Sequence, residues 1–191
     1  MSRAVKHGLR MLLVSAIAAT SVSVLGSQPA AAAGSPFTGC KYSGSGNNLK
    51  WSNATTRYEY SNPGQVAVEA WNSTSTQFNF ANVNTDANLV VADGNFGDTE
   101  FVGLAEMVCH GGYHQVTVKT WWNRYHTDSY SGQARKYVMV HEIGHALGLA
   151  DLEGQFTCAN MPIMYANTKA YDECGFTEPR PIDVSRVNSL Y

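Results

Sequence analysis

The sequence has no excess of either charge sign and little charge of any kind. Lys and Arg number 13, Asp and Glu number 15, and together they make up 15% of the 191 residues. Proteins that bind nucleic acid usually carry a basic patch or stripe, and this composition offers none. We therefore expect no nucleic acid among the partners of this protein.

Beyond its N-terminus the sequence also lacks any apolar run near the ~20 residues that a membrane-spanning helix needs. The N-terminal segment has three basic residues in its first ten positions, an apolar stretch over 11–25 and small residues over 31–33. This pattern is typical of a secretory signal peptide. We predict a signal peptide over residues 1–33 and a secreted, extracellular protein that has no membrane attachment after cleavage.

One alternative is a lipid anchor. Residues 37–40 (Phe-Thr-Gly-Cys) loosely resemble a lipobox, but they lie well beyond the apolar core, which favours secretion.

Residues 34–191 contain no internal repeat and no low-complexity linker. Their 158 residues are enough for one domain with its own core. They hold all 15 acidic residues but only 10 of the 13 basic ones, which gives a formal charge of −5. We expect a single, mildly acidic domain that is a monomer.

The four cysteines include no C-x-x-C pair, which argues against a zinc–thiolate site. An even count in an exported chain suggests two disulfides, although free buried thiols remain an alternative. Of the three possible connectivities we favour Cys158–Cys174, which closes a short loop, and Cys40–Cys109, which anchors the N-terminal segment.

Helical and strand-like patterns alternate along the domain. A helix is predicted to start at Ser61-Asn62-Pro63, with Asn62 as its cap, and others are predicted over 133–147 and 182–191. Short strands are expected in the apolar or alternating segments 49–60, 78–80, 89–91, 101–108 and 116–120. This order predicts an α+β fold in which helices pack against a mixed sheet.

The segment around residue 141 has the pattern H-E-x-x-H. His141 and His145 are four apart and so share one face of a helix, where two imidazoles can reach one metal ion. Glu142 can face a water on that metal without binding the metal itself. Zinc makes such a water acidic, and the carboxylate takes its proton as general base.

The third ligand is expected just after the helix. Gly148 can adopt a left-handed backbone conformation that ends the helix and turns the chain. Asp151, three residues further on, is then well placed to supply a carboxylate oxygen to zinc. If Asp151 only caps the helix or faces solvent, His126 or Glu153 would be the substitute ligand.

The full segment, H-E-x-x-H-x-x-G-x-x-D over 141–151, resembles the metzincin clan of zinc metalloproteases. The version that ends in Asp looks like the snapalysin family of small secreted Streptomyces proteases. Residues 162–165 resemble the Met-turn of this clan, which implies Met164 as its methionine, with Met161 as a competitor. The end of the chain, from Pro181, is similar to the closing helix of matrixins.

Some features depart from these families. Matrixins have His where this chain has Asp151, and no propeptide with a cysteine switch is visible. Snapalysins have a Tyr shortly after the Asp ligand, where Leu152 and Glu153 stand here. Tyr165 is the remaining candidate for a transition-state contact, and packing beneath the site is its alternative role.

The resemblance implies a metzincin-like zincin domain over residues 34–191, with an active-site helix, a Met-turn and one catalytic Zn²⁺. The expected activity is that of a secreted zinc endopeptidase acting on protein or peptide substrates, which would lie along an edge strand. The alternative is a secreted zinc-containing binding module without hydrolytic activity. A structural zinc usually has four protein ligands, and only three are evident here.

Three further features have weaker interpretations. His110 and His114 could hold a second zinc but are better explained as surface loop residues. The polar segment 93–98 could bind Ca²⁺, although a turn between strands is favoured. Trp121 and Trp122 could bind sugar, although a role in the core or the cleft wall is favoured.

Overall fold

The structure, a computed structural model, describes residues 35–43 and 48–191. The predicted signal peptide over 1–33 and its cleavage site lie outside these ranges. Across the described residues, no helix is both long enough and apolar enough to cross a membrane.

Within the described residues, seven strands form a five-stranded sheet and a small hairpin. The sheet contains β1 (Asn48–Asn53), β2 (Asn79–Asn82), β3 (Leu89–Gly94), β4 (Gly103–Glu106) and β7 (Val118–Asn123), in the order β2-β1-β3-β7-β4. The first four strands in this order run parallel, and β4 runs antiparallel to β7 at the edge. The hairpin, β5 (Cys109–His110) and β6 (Tyr113–His114), is too short to leave a strand pattern in the sequence.

In the part of the chain that the structure describes, five helices accompany the sheet: α1 (Tyr58–Asn72), α2 (Arg124–Thr127), α3 (Gly132–Ala146), α4 (Lys169–Asp172) and α5 (Pro181–Leu190). The helices predicted over 133–147 and 182–191 correspond to α3 and α5. The prediction of an α+β fold with helices against a mixed sheet is thus confirmed.

The predicted start of the first helix is wrong. α1 begins at Tyr58, so Pro63 lies inside it, and the strand expected over 49–60 ends at Asn53. The extra turn buries Tyr60 completely and brings its hydroxyl to Thr127 Oγ1 (2.9 Å) and Asp128 Oδ1 (2.8 Å). This contact with a distant segment outweighs the local cap signal of Ser61-Asn62-Pro63.

Two tryptophans fix α3 within the core. Trp71 of α1 donates its indole N–H to Val140 O (2.9 Å), and Trp122 of β7 donates to Arg135 O (2.9 Å). At Gly64 of α1 a side chain would come within 3.0 Å of Val91 on the sheet, so glycine permits this close approach. Helix α3 is therefore held against both α1 and the sheet, which gives its exposed face a fixed position.

Both disulfides join the cysteines that the sequence favoured, Cys40 with Cys109 and Cys158 with Cys174. Because Cys40 is paired, it has no thiol for a lipid anchor. The segment that contains Cys40 also lies against the end of α3, where Thr38 N donates to Gly148 O (2.9 Å).

Candidate metal centre and cleft

Helix α3 presents His141 and His145 one turn apart, with ring centroids 4.7 Å apart and ring planes nearly perpendicular. His141 Nδ1 lies 3.0 Å from Ile163 O, and His145 Nδ1 lies 2.8 Å from Leu149 O. A carbonyl oxygen can only accept, so Nδ1 is the protonated nitrogen in both neutral rings. Both Nε2 lone pairs are then available to one metal ion, and the carbonyls fix the ring orientations.

The chain turns sharply after α3 at Gly148, which has φ +94°. A Cβ at this position would lie 2.5 Å from Leu190 Cδ2 and 2.8 Å from Cys40 O. Backbone conformation and space therefore both require glycine. The turn sends the chain back beneath the histidines and brings Asp151 to them.

The Asp151 carboxylate completes a cluster with the two histidines. Its Oδ1 lies 3.1 Å from His141 Nε2 and 3.6 Å from His145 Nε2. One ligand atom from each of the three residues lies within 4.8 Å of the others, and no second group of this kind occurs among the described residues. Arg186 Nη2 donates to Ala150 O (2.9 Å) and so stabilises the loop that carries Asp151.

The charges of this cluster suit a cation. Burial opposes charge on both partners, yet the hydrogen bond from His141 Nε2 to Asp151 raises the pKa of His141 to about 9 and lowers the pKa of Asp151. The cluster thus favours a positive charge at Nε2, and a zinc ion would take the place of that proton. Two imidazole nitrogens and one carboxylate oxygen are ligands that Zn²⁺ commonly takes. The residues present therefore fit a zinc ion.

Glu142 lies beside the cluster and takes no part in it. Its side chain is only 6% exposed, and burial raises the pKa of its carboxyl to about 7. Strand β4 passes directly over it at Gly103, where a Cβ would collide with the carboxyl group. The glycine thus allows an edge strand and a buried carboxylate to meet above the metal centre.

The turn that resembles a Met-turn lies beneath α3. Met164 is fully buried, and its Sδ lies so close to Gly144 that a Cβ there would collide with it. Met161 is also buried, but Met164 is the methionine that lies against the helix between the two histidines. Leu152 N donates to Met164 O (2.7 Å), which ties this turn to the Asp151 loop.

Sequence reasoning missed the residue that anchors this turn. Asp183 of α5 is fully buried, and its Oδ2 accepts from Ile163 N (2.8 Å) and Arg180 N (2.9 Å). Met164 N lies 3.4 Å from its Oδ1. An acid three residues after Arg180, at the start of a helical pattern, was the local signal for a capping role. Its partner in the turn, Ile163, is twenty residues away in the sequence, and no local pattern indicated that contact.

Replacement of Gly148 by alanine is expected to lower the free energy of unfolding by about 1–3 kcal/mol, the cost of a strained backbone conformation. Zinc affinity should fall as well, because the loop that carries Asp151 must shift. Gly132→Ala is the matched control: it has no atom within 4 Å of an added Cβ and lies at the start of α3. The measurement is urea unfolding of the parent and both variants. A free energy of unfolding that is no lower in Gly148→Ala than in Gly132→Ala would contradict the strain at Gly148.

Tyr165 borders the cleft, but its hydroxyl already donates to Gly154 O (3.1 Å). Its ring packs edge-on against Phe156 at 5.7 Å. These contacts favour the packing role over a contact with the reacting groups.

The substitute ligands weighed for the metal do not join the cluster. His126 Nε2 lies 2.6 Å from Thr99 O, and Glu153 is exposed. His114 does not pair with His110: its Nδ1 lies 3.1 Å from Cys40 Sγ and its Nε2 2.9 Å from Ala146 O. His114 therefore braces the end of α3.

The residues that were considered for calcium and sugar binding have structural roles instead. The Asp93 carboxylate is buried, accepts from Thr56 N (2.5 Å) and pairs with Arg124 (3.3 Å). Trp122 is in the core, whereas Trp121 is partly exposed and donates to Glu106 Oε2 (3.1 Å). Asp93 and Trp121 thus have protein partners that account for their positions.

An open cleft of about 440 Å³ lies over the metal centre. Segment 100–105, which includes most of β4, forms one wall, and segment 165–168 forms the other. Tyr137, Val138 and the site residues of α3 lie between them. A chain segment that enters this cleft would pass directly over His141, His145 and Asp151.

Comparison with known proteins gives a limited result. No protein-family model and no curated protein sequence matches the chain. Among solved structures it is similar to high choriolytic enzyme 1, a hatching enzyme zinc-protease of the medaka fish Oryzias latipes, at 13% identity and a TM-score of 0.49, over 81% of this chain and 95% of that one. It is also similar to myroilysin, at 17% identity and a TM-score of 0.36, over 74% of this chain and 64% of the other.

Proposed function

We propose that this protein is a secreted zinc-dependent endopeptidase of the metzincin type, similar to snapalysin. The observation that carries this proposal is the convergence of His141, His145 and Asp151 at the floor of an open cleft, with the buried Glu142 carboxylate beside them. An open cleft, a zinc ligand set and a proton acceptor are the parts that metal-assisted hydrolysis of a peptide bond requires.

The zinc would be held by one nitrogen of each histidine and one oxygen of Asp151. Three protein ligands leave a position for water or substrate, whereas a purely structural zinc usually has four. When bound, zinc supplies a Lewis acid that polarises a carbonyl and lowers the pKa of water. The carbonyls of Ile163 and Leu149 hold both imidazoles in the tautomer that coordination needs.

Glu142 is the proposed general base. Its burial beneath Gly103 keeps the carboxyl group in one place and raises its pKa to about 7, which makes the ionised form a stronger base than an exposed carboxylate. It takes the proton of the attacking water and then passes this proton to the amine that leaves. The role requires reach to the reacting water and no contact with the metal.

The substrate would lie extended along β4. This strand pairs with β7 on one side only and forms one wall of the cleft with its residues 103–105. An extended peptide can add to such an edge through main-chain hydrogen bonds, which require no particular side chains. This geometry suits protein substrates better than small amides.

The proposed location of the protein is extracellular. Two disulfides suit an oxidising compartment. We propose accordingly that residues 1–33 are removed as a signal peptide and that residues 34–191 form the metalloprotease catalytic domain.

Digestion of denatured casein, with identification of the products by mass spectrometry, tests the proposal. An endopeptidase will release fragments whose new termini lie inside the casein chain. Release of single residues from the chain ends alone would contradict the endopeptidase assignment, and the absence of any cleavage by the zinc-loaded protein would favour a binding module.

A further inference from the structure

A second pocket adjoins the cleft. This side pocket has a volume of about 320 Å³, and its lining includes Tyr130, Tyr137, Thr168, Tyr171 and Asp172. Tyr137 and Thr168 also line the cleft, so the two spaces are adjacent. Tyr137 lies one helical turn before His141, and the two ring centroids are 6.4 Å apart. The side pocket is therefore within reach of a side chain whose backbone lies over the metal centre.

The walls of the side pocket are aromatic and held in place. The rings of Tyr137 and Tyr171 stack with centroids 5.5 Å apart and planes 29° apart. The hydroxyl of Tyr137 donates to Asn167 O (3.0 Å), and that of Tyr171 lies 3.3 Å from Ser131 Oγ. Aromatic faces carry partial negative charge and attract cations.

Asp172 adds a full negative charge. Its side chain is exposed, its carboxylate accepts from Thr168 Oγ1 (2.5 Å), and both residues line the side pocket. Lys169, three residues earlier in α4, pairs with Glu173. Across the described residues no ion pair includes Asp172. The carboxylate thus lacks a cationic partner within this part of the chain.

The charge of Asp172 also acts on the neighbouring phenol of Tyr130. Burial is the largest cause of the raised pKa of Tyr130, and the charge of Asp172 is the next cause. A pocket with this potential disfavours an acidic side chain and favours a basic one.

We propose that the side pocket binds a Lys or Arg side chain of the substrate, close to the scissile bond, and so gives the enzyme a preference for a basic residue at one position. This inference rests on the proposed function. The aliphatic part of the side chain would pack on the tyrosine rings while its charged end meets the Asp172 carboxylate. A phenyl or alkyl side chain could fill the same space but would leave the carboxylate unpaired.

The test uses quenched fluorescent peptides that differ at one position at a time, from three residues before the cleaved bond to three after it. Each position carries Arg, norleucine or Glu. At one position we expect kcat/KM to be about tenfold higher for Arg than for norleucine, and lower still for Glu. An equal kcat/KM for Arg and norleucine at every position would overturn the inference.

The variant Asp172→Asn tests whether the Asp172 carboxylate causes the preference for Arg. The ratio of kcat/KM for the Arg peptide to that for the norleucine peptide should fall by about fivefold, which corresponds to the loss of a partly exposed ion pair. Asp172→Arg should reverse the order of the Arg and Glu peptides. Glu153→Gln is the control, because it removes the same charge from an exposed side chain that forms no ion pair among the described residues and does not line the side pocket. A ratio that is unchanged in Asp172→Asn, or reduced equally in Glu153→Gln, would overturn the assignment.

Zinc content and the thermal unfolding midpoint are measured for each variant. A variant that matches the parent in both is folded, so a change in its peptide preference reports specificity. A parent protein that cleaves peptides without any basic preference would overturn this inference and leave the proposed function intact. A zinc-loaded parent that cleaves none of the peptides or casein would overturn both.

Discussion

Glu142→Gln is expected to lower kcat for a peptide substrate by about 10³-fold, within the range attributed to general acid–base catalysis. The amide has nearly the same shape as the carboxylate but cannot take a proton from water. Zinc content should be unchanged, because the Glu142 carboxyl is not part of the ligand cluster. Steady-state kinetics and metal analysis of the same preparation measure both effects.

Glu100→Gln is the control for this experiment. Glu100 also lines the cleft and loses the same charge, but it is exposed and lies outside the metal cluster. Its kcat should stay close to that of the parent. Normal activity in a zinc-loaded Glu142→Gln protein would sink the proposed mechanism.

Asp151→Ala is expected to remove both zinc and activity. Without the carboxylate, only two histidines remain as protein ligands, too few for a stable tetrahedral site. Bound zinc should fall from about one per chain to less than about a tenth after dialysis, and casein hydrolysis should fall with it. Metal analysis of the dialysed protein gives the first quantity, and release of acid-soluble fragments from casein gives the second.

Glu153→Ala is the matched control for Asp151. It removes a carboxylate two residues further along the same loop, from an exposed position outside the cluster. It should retain both zinc and activity. If instead Glu153→Ala lost zinc while Asp151→Ala kept it, the third ligand would be Glu153 and the resemblance to snapalysin would fail.

Much of the candidate site could be predicted because it is local in sequence. His141, Glu142 and His145 belong to one helix, whose periodicity fixes their relative positions. Gly148 acts within the same stretch, because its left-handed conformation is a property of the residue itself. Eleven consecutive residues thus contain the proposed ligands and the base, and short-range rules suffice to arrange them.

Features that depend on distant contacts could not be predicted in this way. The start of α1 is decided by Tyr60, whose hydroxyl partners are 67 and 68 residues away. The role of Asp183 depends on backbone N–H groups of the turn at Met164, which lies within the Cys158–Cys174 loop. The pattern around each of these residues carries no information about such partners.

The side pocket shows the same limit at the functional level. Its tyrosines come from the loop before α3, from α3 itself and from α4, and the sequence separates them by up to 41 residues. Tyr130, Tyr171 and Asp172 match no motif, so only their meeting in the fold marks them as a group. Specificity residues of this kind are accessible only once the fold is known.

The most direct test of the central claim is to measure zinc content and casein hydrolysis on one preparation of the purified protein, as isolated, after chelation and after zinc is restored. We predict about one zinc per chain with hydrolysis at the start, loss of both on chelation, and recovery of both with zinc. Hydrolysis that persists without metal would contradict a zinc-dependent mechanism. Bound zinc without hydrolysis of any substrate would identify the protein as a zinc-containing binding module instead.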